Sequence, residues 1–169
     1  MKIQPIKTKY KRQVFRSRLE ARWAIFFDKL EIKWEYEAEG YNLGGKWYLP
    51  DFWLPEFEGG THVEVKHIGG DFTKAKRFTV RTGKSMWLCE GPPAARVYDI
   101  VYGEGEFAPY SLHIVPGTPE WDAARGLNRF FVFPGYEEPD GTYDEDWCDY
   151  NPFYMAAVDE ALNYDFKSY

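Results

Sequence analysis

Cysteine is scarce in this chain. Its two copies, Cys89 and Cys148, lie far apart and outside any zinc-ligand spacing, which excludes a disulfide framework and a cysteine-based zinc site. Long apolar runs are also missing: no stretch approaches the ~18 residues a membrane span needs. The opening "MKIQPIKTKYKRQ" is basic but has no apolar h-region, so it does not read as a secretory signal. Together these absences predict a cytoplasmic protein with reduced thiols. There is no internal repeat and no low-complexity linker, so residues 1–169 read as one domain. GEG at 103–105 is too short for a dinucleotide fingerprint, and the acidic stretch near the C-terminus lacks the glycine and closing glutamate of an EF-hand loop. What the chain does have is aromatic mass: 20% Phe, Trp and Tyr, with seven Trp. A disordered chain is thereby excluded.

The net charge of −6 argues at first against a nucleic-acid partner, but the charge is not evenly spread. Residues 1–34 carry ten bases against three acids, and residues 66–84 carry six bases against Asp71 alone. From 137 to 165 there are ten acids and no base. Two basic segments and an acidic tail give the molecule a polarity that the net value hides. Ordinary solvated faces would give the same counts.

Hydrophobic spacing supplies the order of elements. Phe15, Leu19, Trp23, Phe26, Phe27 and Leu30 fall on one stripe of a helix over 15–30, with its arginines on the other side. "IKWEYE" (32–37) reads as a strand, and "YNLGGKWYLPDFWLP" (41–55) as a hairpin turned at Gly44-Gly45 that leads into an aromatic strand. After Gly59-Gly60, "THVEVK" alternates like a half-buried strand. Asp71 is suited to cap a helix that runs to Thr82 and stops at Gly83, and "SMWLCE" (85–90) is a further strand. Beyond Gly91 the pattern predicts strands over 107–115 and 128–133, a short helical turn over 119–125 and a closing helix over 152–166. Helix, three strands, helix and strand in that order imply an α/β sheet flanked by helices.

Four residues can carry chemistry: Glu20, Asp51, Glu64 and Lys66. Asp51 stands among Trp47, Tyr48, Leu49, Phe52, Trp53 and Leu54. An ionised acid buried there costs several kcal/mol unless it is compensated. A divalent metal compensates it, as would an arginine or a turn hydrogen bond. Glu64 and Lys66, two apart on a strand, project from one face roughly 6–7 Å apart. Paired with Asp51 they can hold one hard cation while the ammonium reaches a water or phosphate; as a plain surface pair they would only aid solubility. Ser17 and Glu20 form S-x-x-E, so Glu20 fits either a capping box or a metal site. His62 shares the Glu64 face one pleat away, as a filler or a residue facing DNA, and His67 falls in the following loop.

"PD" at 50–51, twelve intervening residues and "EVK" at 64–66, downstream of "FRSRLEARWA", resemble the PD-(D/E)XK nuclease superfamily. The resemblance covers residues 12–90, about half the chain, and looks closest to small stand-alone members from phages and mobile elements. It implies a restriction-endonuclease-like α-β-β-β-α-β core (a mixed sheet flanked by helices) over about 12–90, with a C-terminal elaboration over about 91–169. It also implies a Mg²⁺-dependent endodeoxyribonuclease, with Mn²⁺ as a substitute, leaving 5′-phosphate and 3′-hydroxyl ends. Asp51, Glu64 and the Val65 carbonyl would hold the metal, with Glu20 acting directly or through water, and Lys66 would orient the attacking water. DNA is the implied partner, with Arg16, Arg18, Arg22, Lys74, Lys76, Arg77 and Arg81 as backbone contacts. Two alternatives stay open: an inactive nuclease-fold module that binds nucleic acid or a protein, and a homo-oligomer or protein complex formed through the acidic 136–150 segment.

Overall fold

The computed structural model describes residues 4–56, 60–71, 73–84, 86–93, 97–100, 110–115, 131–134 and 152–167. The expected helical turn at 119–125 and the acidic segment at 136–150 lie outside the described residues. A hairpin comes first, β1 (Thr8–Tyr10) with β2 (Gln13–Phe15). Phe15 is buried at the end of β2, so helix α1 (Arg18–Lys29) starts three residues later than its apolar stripe does. Ser17 sets that start, in extended conformation and accepting the Glu20 N–H, as an N-cap does. The helix ends in a Schellman turn: the Ile32 N–H reaches the Phe27 carbonyl at 2.8 Å and the Glu31 N–H reaches Asp28 at 3.0 Å. Glu31 takes the left-handed φ of 56° usually left to glycine. This turn consumes Ile32, so the following strand β3 is only Glu35–Tyr36 rather than 32–37.

The glycine pair at 44–45 does turn a hairpin, β4 (Tyr41–Asn42) with β5 (Trp47–Tyr48), but this hairpin forms a two-stranded sheet of its own. Leu49, Pro50 and Asp51 separate it from β6 (Phe52–Leu54). Next come β7 (Thr61–Lys66), α2 (Thr73–Thr82), β8 (Met86–Glu90), β9 (Val97–Ile100), β10 (Tyr110–Val115), β11 (Phe131–Pro134) and α3 (Pro152–Asn163). Asp71 Oδ1 accepts the Thr73 N–H at 2.9 Å, and Gly83 closes α2 with a φ of 68°. The main sheet is mixed, ordered β11-β10-β9-β8-β7-β6-β3. β7 and β8 run parallel, joined through α2; the other neighbours are antiparallel. The C-terminal strands therefore continue the same sheet. No helix among the described residues is long and apolar enough to cross a membrane.

Alternation along the strands divides the core in two. Val63, Val65, Phe52, Leu54, Trp87 and Cys89 pack against α1 and α3 on one face. Met86 and Leu88 pack with Leu43, Tyr48, Ala75 and Phe78 under α2 and the β4–β5 hairpin on the other. Glu64 is in register with Leu88, so its carboxylate shares the second face. The charged residues of β7 are therefore not on a solvent face. His62 and Glu64 are both buried.

Candidate active site

The β6–β7 ladder stops at Phe52↔Val63. One step further, the same register sets Asp51 opposite Glu64; two steps further it sets Pro50 opposite Val65. Gly91 donates to the Lys66 carbonyl at 2.7 Å, so Lys66 turns its backbone groups toward β8 and Val65 turns its own toward β6. Proline has no N–H to offer the Val65 carbonyl. The Val65 N–H instead donates to Asp51 Oδ2 at 2.8 Å. A proline at the head of β6 thus ends the ladder and lets the next carboxylate occupy the gap.

Asp51 and Glu64 are 3% and 5% exposed, a depth at which each charge must find partners. Arg16 Nη2 donates to Asp51 Oδ1 at 2.5 Å while its Nε reaches Glu37 at 2.8 Å. Glu37 is itself fixed, at a φ of 49°, by its N–H on the Asp51 carbonyl at 2.9 Å. Glu64 accepts the Tyr48 hydroxyl at 2.7 Å on one oxygen and the Lys66 ammonium on the other. Burial, followed by the charges of Glu64 and Glu20, holds the Asp51 carboxyl well above the usual carboxylate range, against the pull of the Val65 N–H and Arg16. Burial and the Glu64 charge push the Tyr48 phenol up as well, so it remains a hydrogen donor.

Lys66 has its stem pinned. A Cβ on Gly70 would sit 2.8 Å from the Lys66 Cβ, so glycine is what lets the β7–α2 loop fold back over it. Glu20 is in a different setting: Ser17 Oγ donates to one oxygen at 2.7 Å, and the Tyr36 hydroxyl (2.5 Å) and Arg16 N–H (3.2 Å) donate to the other. The Ser17 half of the capping box is formed, with Ser17 Oγ accepting the Glu20 N–H at 3.2 Å, while the Glu20 carboxylate takes the N–H of Arg16, one residue before the cap, and both its oxygens are engaged. Its charge still reaches Asp51. Among the described residues no group of three or more His, Cys, Asp and Glu side chains is arranged to hold a metal ion. A cation here would rest on Asp51 and Glu64 together with backbone oxygen and water. Mg²⁺ accepts such a set, because it commonly takes one or two carboxylates and keeps several waters.

The candidate nucleic-acid contacts divide. Arg16 is committed to the two acids. Arg18 and Arg22 lie over the Phe166 ring at 5.7 and 5.6 Å, and Arg22 donates to the Ala161 and Leu162 carbonyls at the C-terminal end of α3, a favourable place for a cation. Arg22 ties the end of α3 to α1, and both arginines hold Phe166 just beyond it. On α2, Lys74, Lys76 and Arg81 are exposed and Arg77 is half-buried, so the basic surface beside the site belongs mainly to that helix. Tyr48, Tyr36 and Glu37 hold the site and were not marked by sequence spacing. The hairpin over β7 creates the Tyr48–Glu64 contact, and no local pattern encodes it.

His62 is a packed residue in an aromatic box. Its ring lies 4.6 Å from Trp53, 5.1 Å from Phe78 and 5.3 Å from Tyr41. The Tyr41 hydroxyl donates to Glu39 at 2.5 Å and lies 2.8 Å from His62 Nε2, so a neutral imidazole donates to the phenol oxygen. Burial, aided by Lys84, lowers the His62 pKa from 6.5 to about 4. The unfolded chain therefore binds a proton between pH 6.5 and about 4 that the native state refuses, and stability is lost as pH falls through that window. Urea midpoints at pH 7 and pH 4.5 should differ more for the natural chain than for His62→Gln; equal differences would remove His62 from the acid lability.

No family model, no curated protein and no solved structure matches this chain.

Proposed function

We propose that the protein is a metal-dependent endonuclease of the PD-(D/E)XK type, with a restriction-endonuclease-like core built from α1, β3, β6, β7, α2 and β8. One observation carries the reading: two buried carboxylates stand at neighbouring positions, just ahead of β6 and on β7, the second bonded to Lys66, and burial together with the Glu64 charge holds the Asp51 carboxyl up. A hard cation between them would relieve the repulsion of the two carboxylates.

Asp51, Glu64 and the Val65 carbonyl are the oxygens that would hold Mg²⁺ or Mn²⁺. Such an ion, when bound, polarises a phosphate oxygen and acidifies a water. The rest falls to the chain. Lys66, anchored on Glu64, aligns the attacking water and balances the charge that grows on phosphorus. Tyr48 fixes the Glu64 rotamer from the opposite oxygen. Glu20 acts at one remove: it holds the Arg16 backbone, whose guanidinium steadies Asp51. In-line attack would leave 5′-phosphate and 3′-hydroxyl ends, with the α2 cations against the DNA backbone.

Conversion of supercoiled plasmid by the intact chain tests the reading. Nicked and linear products should appear with Mg²⁺ or Mn²⁺ and disappear with a chelator. Retention of DNA without cleavage in either metal would overturn the hydrolase and favour an inactive binding module, a state that the internal pairs Arg16–Asp51 and Lys66–Glu64 would suit.

A further inference from the structure

One residue before Tyr48, the β4–β5 hairpin presents Trp47, 69% exposed. Large aromatic rings cost solubility on a surface and are usually tucked against neighbours; this one is held open on one side. Its other side rests on backbone: a Cβ added to Gly40 would fall 2.1 Å from the indole Cζ2. Gly40 has no positive φ to explain it, so the room it leaves for the ring is its structural role. The cross-strand pair Asn42↔Trp47 faces outward while Tyr41↔Tyr48 faces the core, so the indole packs against Gly40 and leaves most of its surface to solvent.

Cations border the same hairpin. Lys46 precedes Trp47 and is exposed. The Arg81 guanidinium lies against the turn, about where a Gly44 side chain would begin. Lys84 Nζ is 5.2 Å above the Tyr41 ring and 3.3 Å from its hydroxyl. Glu39, held by Tyr41, is the acid nearest to them by contact. An open aromatic ring on a hairpin bordered by ammonium and guanidinium groups matches one ligand chemistry: a flat base on a polyanionic backbone.

We propose that the β4–β5 hairpin binds single-stranded nucleic acid, stacking an unpaired base on Trp47 of its outer face while Lys46 beside it and Arg81 at the turn meet its phosphates. This deepens the endonuclease reading and rests on it for one point only, that the strand so held is the one cleaved. The substrate would then be single-stranded, or a duplex with an unpaired base at the cleavage site. Inside an intact duplex a base offers its edges and not its face.

The test measures binding of the intact chain to a labelled 12-nucleotide oligothymidylate and to a 12-base-pair duplex by fluorescence anisotropy, with chelator present so that nothing is cleaved. Trp47→Ala should weaken single-strand binding about 5- to 150-fold, the range a stacked base contributes, and change duplex binding about twofold or less. Trp47→Phe should retain most of the affinity. Gly40→Ala, which displaces the ring without removing it, should reproduce part of the loss. Equal losses on both ligands, no loss on either, or no binding of the single strand by the natural chain would overturn the proposal. So would a dimer that Trp47→Ala dissolves, which would make the face a self-association surface. Cleavage does not enter the measurement. Stacking without cleavage would fail the endonuclease reading alone, and cleavage with Trp47→Ala binding normally would fail the platform alone.

Discussion

Lys66→Met should stop phosphodiester cleavage and leave divalent-cation binding nearly intact. The ammonium is not a metal ligand. It sits on Glu64 Oε1 with its stem confined by Gly70, and its proposed work is to align water and to meet charge that develops on phosphorus. Loss of one such preorganised donor costs on the order of 10²–10³ in rate; losing the water's alignment as well takes activity to the background. Methionine keeps the length and apolar volume of the stem, so the loop can still fold over it. The vacated ammonium leaves Glu64 with Tyr48 alone, a buried carboxylate short of a counter-charge. The variant should therefore be less stable without metal and recover when Mn²⁺ or Ca²⁺ binds. Calorimetric titration with either ion, beside a plasmid assay, separates the cases. Loss of binding together with cleavage would make Lys66 a structural partner of Glu64, and full activity would remove it from the chemistry.

Local grammar made much of this architecture legible. The Ser17 cap, the glycine pair at 44–45, Asp71 ahead of α2 and Gly83 behind it are short-range signals, and each stands where the turn chemistry places it. Period-two alternation found β7, and of the acid–lysine pair on it Glu64 is buried and Lys66 half-buried rather than solvated. The rest depended on contacts between distant segments. Ile32 looked like strand but belongs to the helix-ending turn, because a glutamate took the left-handed position usually marked by glycine. Arg16 looked like a phosphate contact in a basic segment. Its partners, Asp51 and Glu37, are 35 and 21 positions away, and only the folded chain brings them together. Arg22 likewise meets carbonyls about 140 residues on. Charge counts along a sequence show which segments are basic but not where their charges are spent.

Asp51→Asn should abolish cleavage and at the same time make the metal-free protein more stable. Burial and the neighbouring charges of Glu64 and Glu20 raise the Asp51 carboxyl in the native state, whereas the unfolded chain titrates it near the ordinary value of about 3.9. Between those two values the native state holds a proton that the unfolded chain has released. Stability from this group is therefore greatest below the unfolded value, falls as pH rises through the window, and is lowest once the native carboxyl ionises. Asparagine is neutral at every pH. Its amide oxygen can still accept the Val65 N–H, and Arg16 keeps Glu37 and solvent. Removing one charge from the cluster should raise the metal-free Tm at pH 7.5, and the gain should shrink in acid. Divalent metal should reverse the order. At a hundred times its dissociation constant a ligand stabilises the state it binds by about 2.7 kcal/mol, and the natural chain should gain this while the variant does not. Thermal unfolding of both proteins at pH 7.5 and 4, with and without Mn²⁺, decides the matter. A variant that is less stable than the natural chain without metal would mean that Asp51 serves the fold through Arg16 and Val65, and a variant still stabilised by Mn²⁺ would place the cation elsewhere.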